Sequence, residues 1–125
     1  MEEKKELVNS EKLADLAVLG MLEKKASDIV VMDLRNVKGA VADFFVISSA
    51  SSDTQVEAVA KSVDEAIYKG ANEDPWHREG TENREWILLD YVNVVAHIMK
   101  TERREFFNLE GLWGDAVIKR IQAED

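Results

Sequence analysis

The sequence has no cysteine, which excludes disulfides, thiolate metal sites and cysteine nucleophiles and fits a reducing compartment. Histidine is scarce, with two residues, His77 and His97, and no HExxH or HxxxH spacing. A zinc site would have to gather ligands from unrelated segments, so no metal and no cofactor is expected. No apolar run approaches the roughly 20 residues of a membrane-spanning helix. The opening MEEKKELVNSEKLADLAVLG mixes acids among its apolar positions, unlike a secretory signal or an arginine-rich transit peptide. A cytoplasmic location with no membrane contact is the expectation. Positive charge is short as well: 16 Lys and Arg stand against 25 Asp and Glu, a formal net charge of −9. Such a chain repels phosphate backbones, so little direct nucleic-acid contact is expected, and an acidic surface suits a basic protein partner.

At 125 residues the chain is long enough for one self-sufficient core, and residues 1–125 read as a single domain. From Ser10, SEKLADLAVLGMLEKKAS places Leu13, Leu16, Ala17 and Met21 at helical spacing, with Ser10 as N-cap and Leu7 and Val8 extending the helix backward. The runs DIVVMDL (28–34) and DFFVISS (43–49) read as buried strands. After the small-residue loop SASS, Val56, Val59, Ala60, Val63, Ala66 and Ile67 form one helix face, capped by Ser52 or Asp53 and closed by Gly70. The polar connection ANEDPWHREGTENR holds the one proline, with a short edge strand at Trp76 to Glu79. EWILLDY and VVAHIM read as neighbouring strands turned at Val92-Asn93, where Asn tolerates the left-handed conformation of a tight hairpin. Thr101 and Glu105 suggest a capping box that opens a short helix, and DAVIKRIQAED reads as a last helix. This order implies an α/β sandwich with a mixed sheet and helices on its faces.

Catalytic signals are thin. His97 shares a strand face with Val95 and Met99, where a hydrogen-bonded structural histidine is the commoner occupant. The segment SSASSDTQ (48–55) could offer backbone N–H groups to a phosphate, but it lacks the glycines and lysine of a Walker loop, and a serine-rich helix cap is the commoner explanation of the same residues. No serine is framed as GxSxG, and no two acids are spaced two apart, the arrangement that puts a metal-holding carboxylate pair on one strand face. A small nucleotide- or phosphate-handling enzyme using residues 48–53 with Asp90 and His97 is the alternative reading. The aromatics point elsewhere: Trp76, Trp86, Tyr91, Phe106, Phe107 and Trp113 crowd the last two-fifths of the chain. Tryptophan and tyrosine are the residues enriched in binding hot spots.

The series ADFFVISSASSDTQVEAVA, then Glu79-Gly80, EWILLDYVNVVAHIM and REFFNLEGLW resembles the ribosomal silencing factor family, also called the Iojap or RsfS family, over about residues 10–114. The resemblance implies a single α/β domain related to the nucleotidyltransferase fold without its catalytic acids, and no enzymatic activity. It further implies binding to the large ribosomal subunit through its protein conventionally numbered fourteen, on the face that meets the small subunit. Occupying that face would block subunit joining and repress translation under nutrient limitation. Matched residue by residue, the partner-facing positions would be Trp86 and Leu88 with Phe107, Leu109, Leu112 and Trp113. The chain departs from the family pattern in having Val92-Asn93 where Gly-Asp is usual, Ala50 where Gly follows the second strand, and Phe107 where tyrosine is usual. An uncovered apolar face in a domain this small is also expected to pair as a homodimer until its partner arrives.

Overall fold

The computed structural model describes residues 9–122. Their elements run α1 (Ser10–Glu23), β1 (Ser27–Asp33), β2 (Phe44–Ala50), α2 (Asp53–Ala71), β3 (His77–Glu79), β4 (Trp86–Asp90), β5 (Val94–Lys100), α3 (Thr101–Phe107), α4 (Leu109–Leu112) and β6 (Val117–Arg120). The six strands form one mixed sheet in the order β3-β4-β5-β2-β1-β6. Only β2 and β5 run parallel, Phe44 lying opposite Val94 and Ala50 opposite Lys100. The short β4–β5 connection forces an antiparallel pair, whereas α2 and the β3–β4 excursion let β5 return alongside β2.

The two sheet faces differ in their cover. On one, α1 and α2 bury Val46, Ile87, Leu89, Ala96 and Ile98 against Met21, Val59, Val63 and Ile67. On the other, Val30, Met32, Phe45, Ile47, Val95 and Met99 lie beneath Leu34, Ala42 and Leu109, and Trp86, Leu88 and Trp113 remain half-buried at its border. Among the described residues no long helix covers this second face. Strand alternation explains the division: Ile87 and Leu89 point to the helices, Trp86 and Leu88 away from them.

α1 and α2 meet closely at Gly20, where a Cβ would stand 2.6 Å from the Val63 Cα. The Ser62 hydroxyl donates to the Gly20 carbonyl at 2.7 Å, so a backbone acceptor and a buried hydroxyl are satisfied together.

Several local expectations are corrected. The N-cap of α1 is Asn9, whose side chain accepts from the Lys12 N–H at 2.8 Å, while the Ser10 hydroxyl donates to Asp43. Leu7 and Val8 lie outside the described residues. Gly70 lies within α2, where the Leu16 side chain packs onto it, and the cap is Asn72 in the left-handed region at φ 56°. There is no capping box at Thr101, whose hydroxyl donates to the Ala50 carbonyl at 3.4 Å; Lys100 is the N-cap without a side-chain bond. The expected last helix is strand β6, paired antiparallel with β1. The outer edge of β1 presents a row of backbone donors and acceptors, and the β-branched Val117 and Ile118 suit that ladder.

The β4–β5 turn also differs from expectation, because Val92 takes the positive φ, 75°, in place of Asn93. With the Asn93 N–H bonded to the Tyr91 carbonyl at 3.0 Å, it has the features of the rare, strained γ-turn. Two contacts hold it: the Val92 N–H donates to the Asp90 carboxylate at 2.7 Å, and the Asn93 carbonyl accepts from the Asp43 and Phe44 N–H groups. A left-handed conformation costs a side chain with a Cβ about 1–2 kcal/mol, and glycine returns a few tenths to 1 kcal/mol of that through its freer unfolded state. Val92→Gly is therefore expected to raise the unfolding free energy by about 1 kcal/mol. Urea denaturation measures this, and a loss of stability would contradict the strain.

Candidate partner-binding face

The border of the second sheet face carries a continuous series of rings. Phe106 and Phe107 meet edge-on with centroids 5.1 Å apart, Phe107 lies 4.8 Å from Trp86, and Trp86 lies 5.9 Å from His97. His97 meets Phe45 edge-on at 4.7 Å, and Phe45 meets Trp113 at 6.2 Å. Three separate stretches of sequence thus supply one aromatic cluster, β4–β5, β2 and the α3–α4 turn, with the buried His97 and Phe45 joining its outer rings. Its outer parts are open, with Phe106 77%, Leu112 70% and Phe107 39% exposed.

Of the positions expected to face a partner, Trp86, Leu88, Phe107, Leu112 and Trp113 lie on or beside this surface. Leu109 is buried in the cluster beneath and supports the surface from below. Phe106, outside the set that the family resemblance implies, is the most exposed of these rings. Neighbouring positions on a helix do not share a face, so the pair Phe106-Phe107 already required one ring to point away from the other's packing.

One buried guanidinium ties the α3–α4 turn to the sheet. Arg104 donates through Nη1 to the Asp28 carbonyl and, at 2.9 Å, to the Ser49 hydroxyl; through Nη2 it bonds the Glu110 carboxylate at 3.0 Å. It thereby ties α3 to β1, β2 and α4. Asn108, left-handed at φ 46°, makes the break between the two helices, a conformation that asparagine tolerates better than most residues.

Beneath the rings, Trp86 donates its Nε1–H to His97 Nδ1 at 3.1 Å. Indole nitrogen can only donate, so His97 Nδ1 is unprotonated and the proton of the neutral ring sits on Nε2. Burial pushes the His97 pKa down to about 4, which keeps the ring neutral at pH 7 and fixes it as an acceptor.

The elements of the alternative enzyme reading do not converge. Ser48, Ser49 and Ala50 belong to β2, leaving Ser51 and Ser52 between strand and helix. The Ser52 hydroxyl accepts from the Gln55 N–H, and Asp53 pairs with Lys100 at 3.1 Å, so this chain's own groups occupy the α2 N-terminus. Asp90 lies opposite Val95 and Ser49 opposite Met99, roughly 13 Å apart along β5 at the usual rise per residue. His97 and Ser48 point to opposite faces of the sheet. Among the described residues no group of three or more His, Cys, Asp or Glu could hold a metal ion, and no helix is long and apolar enough to cross a membrane.

A surface that gathers rings and leucines on one side of a sheet suits recognition of another macromolecule. Comparison with known proteins agrees. The family model described as "Ribosomal silencing factor during starvation" matches residues 8–125. The ribosomal silencing factor of Bacillus subtilis is 34% identical over 110 residues, 87% of this chain and 91% of that one. A mouse protein named "Mitochondrial assembly of ribosomal large subunit protein 1" is 30% identical over 102 residues, 79% of this chain and 44% of its own length. Among solved structures, a protein of Chromobacterium violaceum superposes with a TM-score of 0.79 at 28% identity, covering 94% of this chain and 98% of that one. With a family match over nearly its whole length and a relative one-third identical across almost all of both chains, this protein belongs to the ribosomal silencing factor family.

Proposed function

We propose that this protein represses translation by binding the large ribosomal subunit, at its protein conventionally numbered fourteen, and sterically blocking the small subunit from joining. The observation that carries the reading is the ring series from Phe106 through Trp86 to Trp113, with Phe106, Phe107 and Leu112 open to solvent. The family's name supports a ribosomal partner, and the name of the mouse relative, which refers to assembly of the ribosomal large subunit, supports the choice of subunit. In this mechanism the aromatic and leucine anchors fill shallow apolar depressions on the ribosomal protein. The exposed Glu102 and Glu105 of α3 offer acids to its Lys and Arg side chains. The bulk of the domain then occupies the approach of the second subunit. No bond is made or broken.

Trp86→Ala is expected to weaken binding by about 2 kcal/mol, roughly 30-fold, with the fold retained. Co-sedimentation with purified large subunits reads this directly. Undiminished pelleting of the folded variant would overturn the assignment of this face.

A further inference from the structure

We propose that His97 is a positioning residue for docking: it fixes the Trp86 indole in its binding orientation and consumes the indole N–H, so that the partner meets Trp86 through its ring alone. The inference rests on the docking role assigned to Trp86 above.

The argument starts from how His97 is held. The residue is 3% exposed, on the central strand β5, opposite Ile47 of β2 and Leu88 of β4. Phe45 stands edge-on against its ring at 4.7 Å. A ring confined on both sides by paired strands and capped by a phenyl group has no room to turn, so its Nδ1 is a stationary acceptor. Trp86 sits two strand positions from Leu88, where Trp86 faces Met99, and its Nε1–H reaches Nδ1 at 3.1 Å.

The contrast is with the other anchors. Phe107 has one ring neighbour besides Trp86, the outward Phe106, and Leu112 is largely open. A tryptophan side chain left free on a surface samples several rotamers and must surrender them on binding; one already fixed does not. Burying an indole in an interface also strands its N–H unless an acceptor is supplied. His97 supplies that acceptor from within. It follows that the partner need place no hydrogen-bond acceptor against Trp86, and that apolar or cationic side chains against the indole face are the complementary chemistry.

The test combines NMR with binding. Trp76, 81% exposed, is an internal reference for a free indole. In the wild type, the Trp86 indole N–H, assigned through Trp86→Phe, is expected to exchange with solvent more slowly than that of Trp76, and ¹⁵N shifts are expected to show His97 protonated at Nε2. Fast exchange of the Trp86 proton, or a proton on Nδ1, overturns the proposal without need of any His97 variant. His97→Leu keeps apolar bulk but removes the acceptor, and is expected to release the indole signal and weaken large-subunit binding about tenfold. His97→Asn, whose side-chain oxygen can stand near the Nδ1 position, is expected to restore most of both. If Trp86→Ala loses binding while His97→Leu frees the indole and binds as the wild type does, positioning fails and the docking face stands. If Trp86→Ala binds normally, the docking face itself fails, and the proposal with it.

Discussion

Arg104→Met is expected to cost about 3–5 kcal/mol of folding stability, the usual result of removing one member of a buried charge pair. The loss has two sources. Glu110 keeps a carboxylate that is largely covered once its cation is gone, and the Asp28 carbonyl and Ser49 hydroxyl lose their donor. Met fills most of the same volume, so the change isolates the charge and the hydrogen bonds from packing. Arg104→Met combined with Glu110→Leu is expected to recover part of the loss, because an apolar pair strands no charge. Urea denaturation of the single and double variants gives the comparison. A single-variant loss below about 1 kcal/mol would mean that water replaces the guanidinium at little cost, as at an exposed ion pair.

The second large effect is expected at Gly20. A methyl there would meet backbone alone, at 2.6 Å from the Val63 Cα and 2.8 Å from the Ser62 carbonyl oxygen. Nothing at that contact can rotate aside. Gly20→Ala must push α1 away from α2 and break the Ser62–Gly20 bond, and is expected to cost about 3 kcal/mol, the upper end of overpacking effects. Gly70→Ala is the matched control. Its Cβ would lie 2.5 Å from the tip of Leu16, a side chain with other rotamers, and alanine in a helix gains about 1 kcal/mol over glycine. That variant is expected to stay within about 1 kcal/mol of the wild type. Equal Tm losses in the two would refute the distinction between a backbone collision and a side-chain collision.

Elements with strong periodicity were legible in the sequence. Helix α2 follows from Val56 to Ile67 at spacings of three and four, and β2 and β5 from β-branched runs. The motif series around EWILLDYVNVVAHIM and REFFNLEGLW was enough to indicate the family. Other features had no local signature. β6 is a strand because β1 offers it an edge, and that edge exists only after folding. Arg104 looks like any member of the run TERREFF, since its three bonding partners come from positions 28, 49 and 110. The hydrogen-bonded structural role of His97 could be read from its place in an alternating strand, but its donor, eleven residues away, could not. The motif match that puts Leu109 among the partner-facing positions carries no information about its depth, and it is buried. Val92 runs against its local signal: its propensity opposes a positive φ, and the Asp90 and Asn93 contacts override it.

The strand order has a kinetic side. β2 is buried at all seven of its positions and β5 at six of seven, and each has a neighbour on both edges. Amide exchange should be slowest there and quicken outward to β3 and β6. The aromatic surface straddles that gradient: Trp86 stands one strand from the stiff centre, while Phe106 and Leu112 ride on the short helices α3 and α4 outside the sheet. On the docking proposed above, an encounter would begin on a preformed anchor and finish with the closing turn adjusting to the partner, which would favour fast capture with residence time decided at the α3–α4 end.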